Sequence, residues 1–302
     1  MMRTHTVTFR AMASLCEVQI AAGSAREAER LAAPAIAEVT RIEQKYSRYR
    51  PDSVVSRINA AAGSAPVACD EETLGLLRYA QSLYETSHGL FDITTGILRR
   101  AWNFQVPQLP EPDALQALLA LTGWPRVRLE GESVFLPERG MELDFGGFGK
   151  EYAADCAARV LAQESRVESG YVNLGGDIHV LGPKPDGSPW SFGIRHPRED
   201  RLMASMPLQR GALATSGDYE RYFELDGRRY CHVLNPRTGM PVGHWRSVSV
   251  IAPLALTAGS CTTVAMLMEQ EALPFLDSTG FPYLAMDQQG RLHQHSSGNN
   301  RS

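Results

Sequence analysis

The pair Asp226-Gly227 stands between two short alternating runs, 219–225 and 228–234. A two-residue Asp-Gly loop closes an antiparallel hairpin, because its left-handed backbone matches the twist of the flanking strands. Related signals recur along the chain. Runs 126–129 and 133–136 flank Glu130-Gly131-Glu132, and runs 171–173 and 177–181 flank a Gly175-Gly176 kink. Further strands are expected at 6–10, 15–20, 247–252 and 283–286. Hairpins outnumber strand–helix–strand patterns, so the chain reads as α+β with a mainly antiparallel sheet.

Helices fill the intervals. Ala28, Leu31, Ala32, Ala35, Ile36, Val39, Ile42 and Tyr46 recur at steps of three and four, after a Ser24/Glu27 capping pattern. That spacing predicts a helix over 24–46. A second is expected from Asp70 as its cap to Ser87, and a third over 113–121. A fourth is expected over 149–164 and a fifth over 260–268. No linker divides the chain, so 1–292 reads as one elaborated domain. The polar end, 293–302, reads as a disordered tail.

Composition narrows the function classes. The 302 residues carry a formal net charge of −4, with no basic field to recruit nucleic acid or an anionic membrane. No apolar run reaches the roughly 18 residues of a membrane span. The first twenty residues lack a signal-peptide core, which favours a cytoplasmic setting; a periplasmic one requires that a leader has been removed. The five cysteines, Cys16, Cys69, Cys156, Cys231 and Cys261, form no CxxC pair and read as buried free thiols.

Polar chemistry collects in turns. Segment 213–242 carries Ser216, His232 and Arg237 close to its hairpin. Asp144-Phe145-Gly146-Gly147-Phe148-Gly149-Lys150 precedes the fourth helix; its glycines let backbone N–H groups approach an anion, or simply form a tight strand-to-helix turn. Asn173-Leu174-Gly175-Gly176-Asp177 reads as a ligand turn or a β-bulge. Phe91-Asp92-Ile93-Thr94-Thr95-Gly96 offers a carboxylate and hydroxyls to a ligand or to a helix cap. A strand histidine such as His232 is either a satisfied structural residue or an acid/base group.

Taken in order, these segments resemble the ApbE family of FAD:protein FMN transferases. The resemblance runs through FRAMASLCEVQ, KYSRYRPDSVVSRIN, GLFDITTGIL, DFGGFGKEYAAD, GYVNLGGDIHVLG, ATSGDYERYF, YCHVLNPRTGMPV and SVSVIAPLALTAGSCTTVAML. It implies a T-fold-like α+β architecture that binds FAD as substrate. It also implies cleavage of the FAD pyrophosphate, transfer of FMN to a Thr or Ser of an acceptor protein, and release of AMP. By this resemblance Met12 and Tyr49 contact the flavin, and Leu90, Phe91 and Asp92 lie on the adenosine side. Asp144 and Lys150 contact FAD, Leu234 packs on it, and His232 is the base that activates the acceptor hydroxyl. A divalent metal, usually Mg²⁺, is expected at the Gly147 carbonyl and Thr263.

One departure bears on activity. Where the family carries an Asp in its last motif, this chain has Gly259, which supplies no carboxylate. Met12-Ala13-Ser14 and Glu151 are milder departures, the latter replacing a usual glycine. Two alternatives follow: an FAD-binding protein without transferase chemistry, or a slow FAD pyrophosphatase.

Overall fold

The computed structural model describes residues 2–163, 165 and 167–296. Its centre is an eight-stranded sheet. In spatial order the strands are Arg3–Ala11, Ser14–Ala22, Gly170–Leu174, Asp177–Gly182, Gly211–Gly217, Trp245–Ala252, Tyr283–Asp287 and Leu292–His295. The spatial order follows the chain, and every neighbouring pair is antiparallel. The expected α+β class and antiparallel sheet are what the structure shows.

The seven α-helices of the described residues are α1 Ala25–Tyr46, α2 Val54–Ala60, α3 Glu71–Thr86, α4 Pro112–Leu119, α5 Gly149–Gln163, α6 Ala255–Met268 and α7 Ala272–Thr279. α1 packs on α5, α5 packs on α6, and α6 lies over strands Gly211–Gly217 and Trp245–Ala252. Strand alternation sorts the two faces of the sheet. Ala212 and Ala214 join the helix-covered core, while Leu213 between them joins a second cluster. That cluster contains Trp190, Ile194 and Leu208 of a separate hairpin, Trp190–Arg195 with Leu202–Leu208.

Local chemistry explains the starts of α1, α2 and α3. The Ser24 hydroxyl accepts from Glu27 N–H at 3.2 Å, and the Glu27 carboxylate accepts from Gly23 N–H at 2.8 Å. The Asp70 carboxylate accepts from Thr73 N–H at 3.0 Å, a cap worth about 1 kcal/mol.

Several elements differ from the sequence reading. α6 begins at Ala255, one turn before the expected 260. Its sequence supplies no polar cap; instead the Asp155 carboxylate of α5 accepts from the N–H groups of Ala255 at 2.7 Å and Leu256 at 2.9 Å. The Asp226-Gly227 hairpin is shorter, Tyr222–Leu225 with Arg228–Cys231, and forms a two-stranded sheet of its own. Helices α2 and α7 and the hairpin Trp190–Leu208 have no counterpart in the sequence reading. The expected disordered tail is partly a strand: Leu292–His295 pairs with Tyr283–Asp287, while 297–302 lie outside the described residues. All five cysteines are free and buried, as expected.

Candidate active site

Met12, Lys150 and Asp177 gather at one end of the main sheet. There the turn between the first two strands places Met12 and Ala13 at φ 51° and 59°, a left-handed conformation unusual for side-chain-bearing residues. The Glu43 carboxylate of α1 holds this turn by accepting from Met12 N–H at 2.7 Å. The neighbouring turn, at Gly175-Gly176, packs directly against it. A Cβ on Gly175 would lie 2.8 Å from the Ser14 hydroxyl, so only glycine permits the approach.

Lys150, at the start of α5, reaches the same turn and pairs with Asp177 at 2.7 Å. Burial works against its charge, but the Asp177 and Glu151 carboxylates outweigh this and hold its pKa above the usual lysine range. The ladder of α5 is entered by Gly149 N–H to the Phe145 carbonyl, 2.7 Å, and by Tyr152 N–H to the Phe148 carbonyl, 3.0 Å. The Gly147 carbonyl lies before that ladder.

Asp144 is tied into a second group. The Arg48 guanidinium forms an ion pair with it, donates to the Tyr49 hydroxyl at 2.8 Å and lies over the Tyr49 ring at 4.9 Å. Tyr49 itself is 75% exposed, leaving much of its ring open to a ligand. Arg48 was not among the sequence candidates, although it lies inside the KYSRYR segment.

The 90–96 loop divides its work. Phe91 is buried, stacked on Phe148 at 6.2 Å between centroids. One Asp92 oxygen accepts from Thr94 N–H at 2.8 Å and from the Thr94 hydroxyl at 2.6 Å; the other accepts from Trp124 N–H at 3.0 Å. Both oxygens therefore serve the framework of the loop, and Leu90 is left half-buried beside them. Leu234 packs with Ile97, Leu98 and Leu115 and bridges to Pro241. Arg237 donates to the His88 carbonyl at 2.7 Å, fastening its turn to the chain just before that loop; among the described residues its side chain makes no hydrogen bond to Ser216 or His232.

His232 follows the strand Arg228–Cys231, and its backbone N–H donates to the Arg221 carbonyl at 3.0 Å. Its Nδ1 is buried without a partner among the described residues. Burial first, then the Arg221 and Lys150 charges, lower its pKa to about 4. The ring is thus neutral at pH 7 and able to accept a proton.

On α6, Gly259 and Thr263 lie one turn apart on one face. Ser216 bonds to the Thr262 hydroxyl at 2.8 Å and approaches that of Thr263 at 3.5 Å. Against Gly259 lies Glu151 of α5. A Cβ at 259 would sit 2.5 Å from Glu151 Cγ and 2.6 Å from its Oε1. Glu151 is 8% exposed, and its Oε2 has no partner among the described residues. Burial, reinforced by Asp177, pushes this carboxyl well above its usual pKa range. Among the described residues no three His, Cys, Asp or Glu side chains cluster as a metal cage. Mg²⁺ does not require one, since one or two carboxylates with substrate phosphates and water suffice. A buried carboxylate oxygen lacking a partner fits such an ion.

Comparisons with known proteins identify the family and the fold. The ApbE family model matches residues 12–284. An FAD:protein FMN transferase of Vibrio cholerae is 33% identical over 237 residues, covering 76% of this chain and 71% of its own length. One from Klebsiella pneumoniae is 35% identical over 243 residues, covering 78% and 75%. Among solved structures, the ApbE protein of Thermotoga maritima superposes with a TM-score of 0.89 at 30% identity, over 98% of both chains. The flavin transferase ApbE of Vibrio cholerae gives 0.88 at 26% identity, again over 98% of both. The chain belongs to the ApbE family.

Proposed function

We propose that this protein is an FAD:protein FMN transferase. The observation that carries this reading is the half-buried His232, whose Nδ1 is enclosed without a partner among the described residues and lies within electrostatic reach of Lys150, in a chain matching the family over residues 12–284. FAD is the substrate. The acceptor is a protein presenting a Thr or Ser hydroxyl.

The step divides among named groups. The acceptor oxygen attacks the FMN phosphorus, a new P–O ester bond forms, and the bond to AMP breaks. His232 takes the hydroxyl proton. Negative charge from the bound pyrophosphate offsets the Lys150 and Arg221 charges and raises the His232 pKa toward the working pH. Lys150 and the N–H groups opening α5 face the charge that develops on phosphate oxygens. Tyr49 and Met12 hold the flavin, Asp144 with Arg48 holds the Tyr49 side of the site, and Leu90 and Leu234 line the rest. The Gly147 carbonyl and the Thr263 hydroxyl would hold Mg²⁺, which would neutralise pyrophosphate charge. No described helix is long and apolar enough to cross a membrane.

The test mixes purified protein, FAD and Mg²⁺ with a peptide carrying an Asp-Gly-x-Thr-(Ser/Thr)-Gly-Ala-Thr-like motif. Transfer adds FMN to the peptide mass and releases one AMP per modified Thr. Free FMN with AMP and an unmodified peptide would instead show a pyrophosphatase. The reading of an FAD binder without transfer chemistry drew its force from Gly259. Glu151 now stands against that glycine, and the curated relatives named above are transferases.

A further inference from the structure

We propose that Glu151 is the carboxylate ligand of the divalent cation, entering the site from α5 in place of an acidic side chain at position 259 of α6. This deepens the transferase reading and rests on it. The carboxylate and the space it fills have exchanged helices.

Three observations converge. First, Glu151 occupies the volume that a side chain at 259 would need, with its Oε1 2.6 Å from the position of a Cβ there. Second, its neighbours are already engaged. Asp177 pairs with Lys150 at 2.7 Å. Asp155 accepts from Ala255 and Leu256 and meets His179 Nδ1 at 2.6 Å. Glu151 is left 8% exposed with Oε2 lacking a partner. A buried carboxylate in that state is costly unless a cation or a proton answers it. Third, the other oxygens named for the metal flank it. The Gly147 carbonyl lies one helical turn before Glu151, outside the α5 ladder, and Thr263 lies one turn after Gly259. Two packed helices thus carry one carboxylate, one carbonyl and one hydroxyl on adjacent turns around the Glu151–Gly259 contact. That is a hard-oxygen set suited to Mg²⁺ or Mn²⁺ completed by phosphate and water.

Mn²⁺ titrated into the full-length protein with FAD, and no acceptor, tests the assignment. Free Mn²⁺ is read by electron paramagnetic resonance, with FAD alone as the blank. Wild type should bind one Mn²⁺ per chain. Glu151→Gln keeps the shape and removes the charge. It should weaken Mn²⁺ binding on the order of ten-fold or more, since even outer partners of ligands are worth 10–100-fold. The swap Glu151→Gly with Gly259→Asp should regain Mn²⁺ binding, which loss of folding or a purely structural Glu151 would not allow. Wild-type Mn²⁺ affinity in a folded Glu151→Gln variant overturns the assignment, as does absence of Mn²⁺ binding by wild type. The two readings separate cleanly. Mn²⁺ bound through Glu151 without FMN transfer would sink the transferase reading alone. FMN transfer with unchanged Mn²⁺ affinity in Glu151→Gln would sink the ligand assignment alone.

Discussion

A Cβ placed on Gly259 would lie 2.5 Å from Cγ of Glu151, closer than packed side-chain atoms come. The two residues sit on different helices, α6 and α5, and one determines what the other can be. Adding an aspartate at 259 is therefore no simple repair. Gly259→Ala and Gly259→Asp should each destabilise the fold by about 1–3 kcal/mol through overpacking. The loss should be largely relieved when Glu151 is also changed to Gly. Urea midpoints of the two singles and the double form a cycle; a coupling energy near zero would show that the helices shift apart instead.

His232 should matter to the chemical step more than to binding. Removing a positioned base costs typically 10²–10⁴-fold in rate. His232→Ala should lower kcat for FMN transfer within that range while FAD affinity, read by fluorescence titration, moves little. Parallel losses in both would assign the ring to ligand binding or to the fold.

The same histidine predicts a pH dependence of stability. Its pKa falls from 6.5 to about 4 on folding, so between these values the unfolded chain binds more protons. Stability must then rise with pH across that window, and be lost as pH drops from about 6.5 to about 4. At roughly 1.4 kcal/mol per unit the effect is on the order of 3 kcal/mol. Wild type and His232→Asn should therefore converge or cross in melting temperature as pH falls through the window, and run parallel above pH 7. Parallel curves throughout would show that the ring is solvated in the folded state.

Asp144 should hold FAD through the Arg48 and Tyr49 group it anchors. Asp144→Ala frees the guanidinium and releases the Tyr49 hydroxyl from a fixed partner. FAD should bind at least several-fold more weakly, by the 1–3 kcal/mol that a lost buried or charged hydrogen bond costs. Unchanged affinity in a binding titration would remove Asp144 from the site.

How far the sequence reveals this molecule depends on the range of the cause. α1 is legible because its apolar period and Ser24 cap are local. The start of α6 is not, because its cap is Asp155, supplied by another helix, and because the helix is buried all round and shows no polar face. The motif residues Met12, Asp144, Lys150 and His232 are recognisable by type and order. Their partners Glu43, Arg48 and Asp177 are not, since each contact depends on tertiary placement. Gly259 reads as a missing ligand in one dimension. Only the packing of α5 on α6 shows a carboxylate against it.

Asp92 is where motif and geometry pull apart most clearly, and the difference is measurable. The resemblance assigns it to the adenosine side, yet both its oxygens accept hydrogen bonds from Thr94 and Trp124, and the residue is buried. Asp92→Ala removes the cap of the 93–100 turn and strands the Trp124 N–H. A lost cap costs about 0.5–2 kcal/mol, and a stranded buried donor about 1–3 more. The variant should melt earlier by an amount matching that range. Below its melting point it should bind FAD within a few-fold of wild type, because the carboxylate has no free oxygen to give the ligand. Asp92→Asn should recover part of the stability, since its carbonyl oxygen still accepts from Thr94. A large loss of FAD affinity in a fully folded Asp92→Asn would return this residue to the ligand's side.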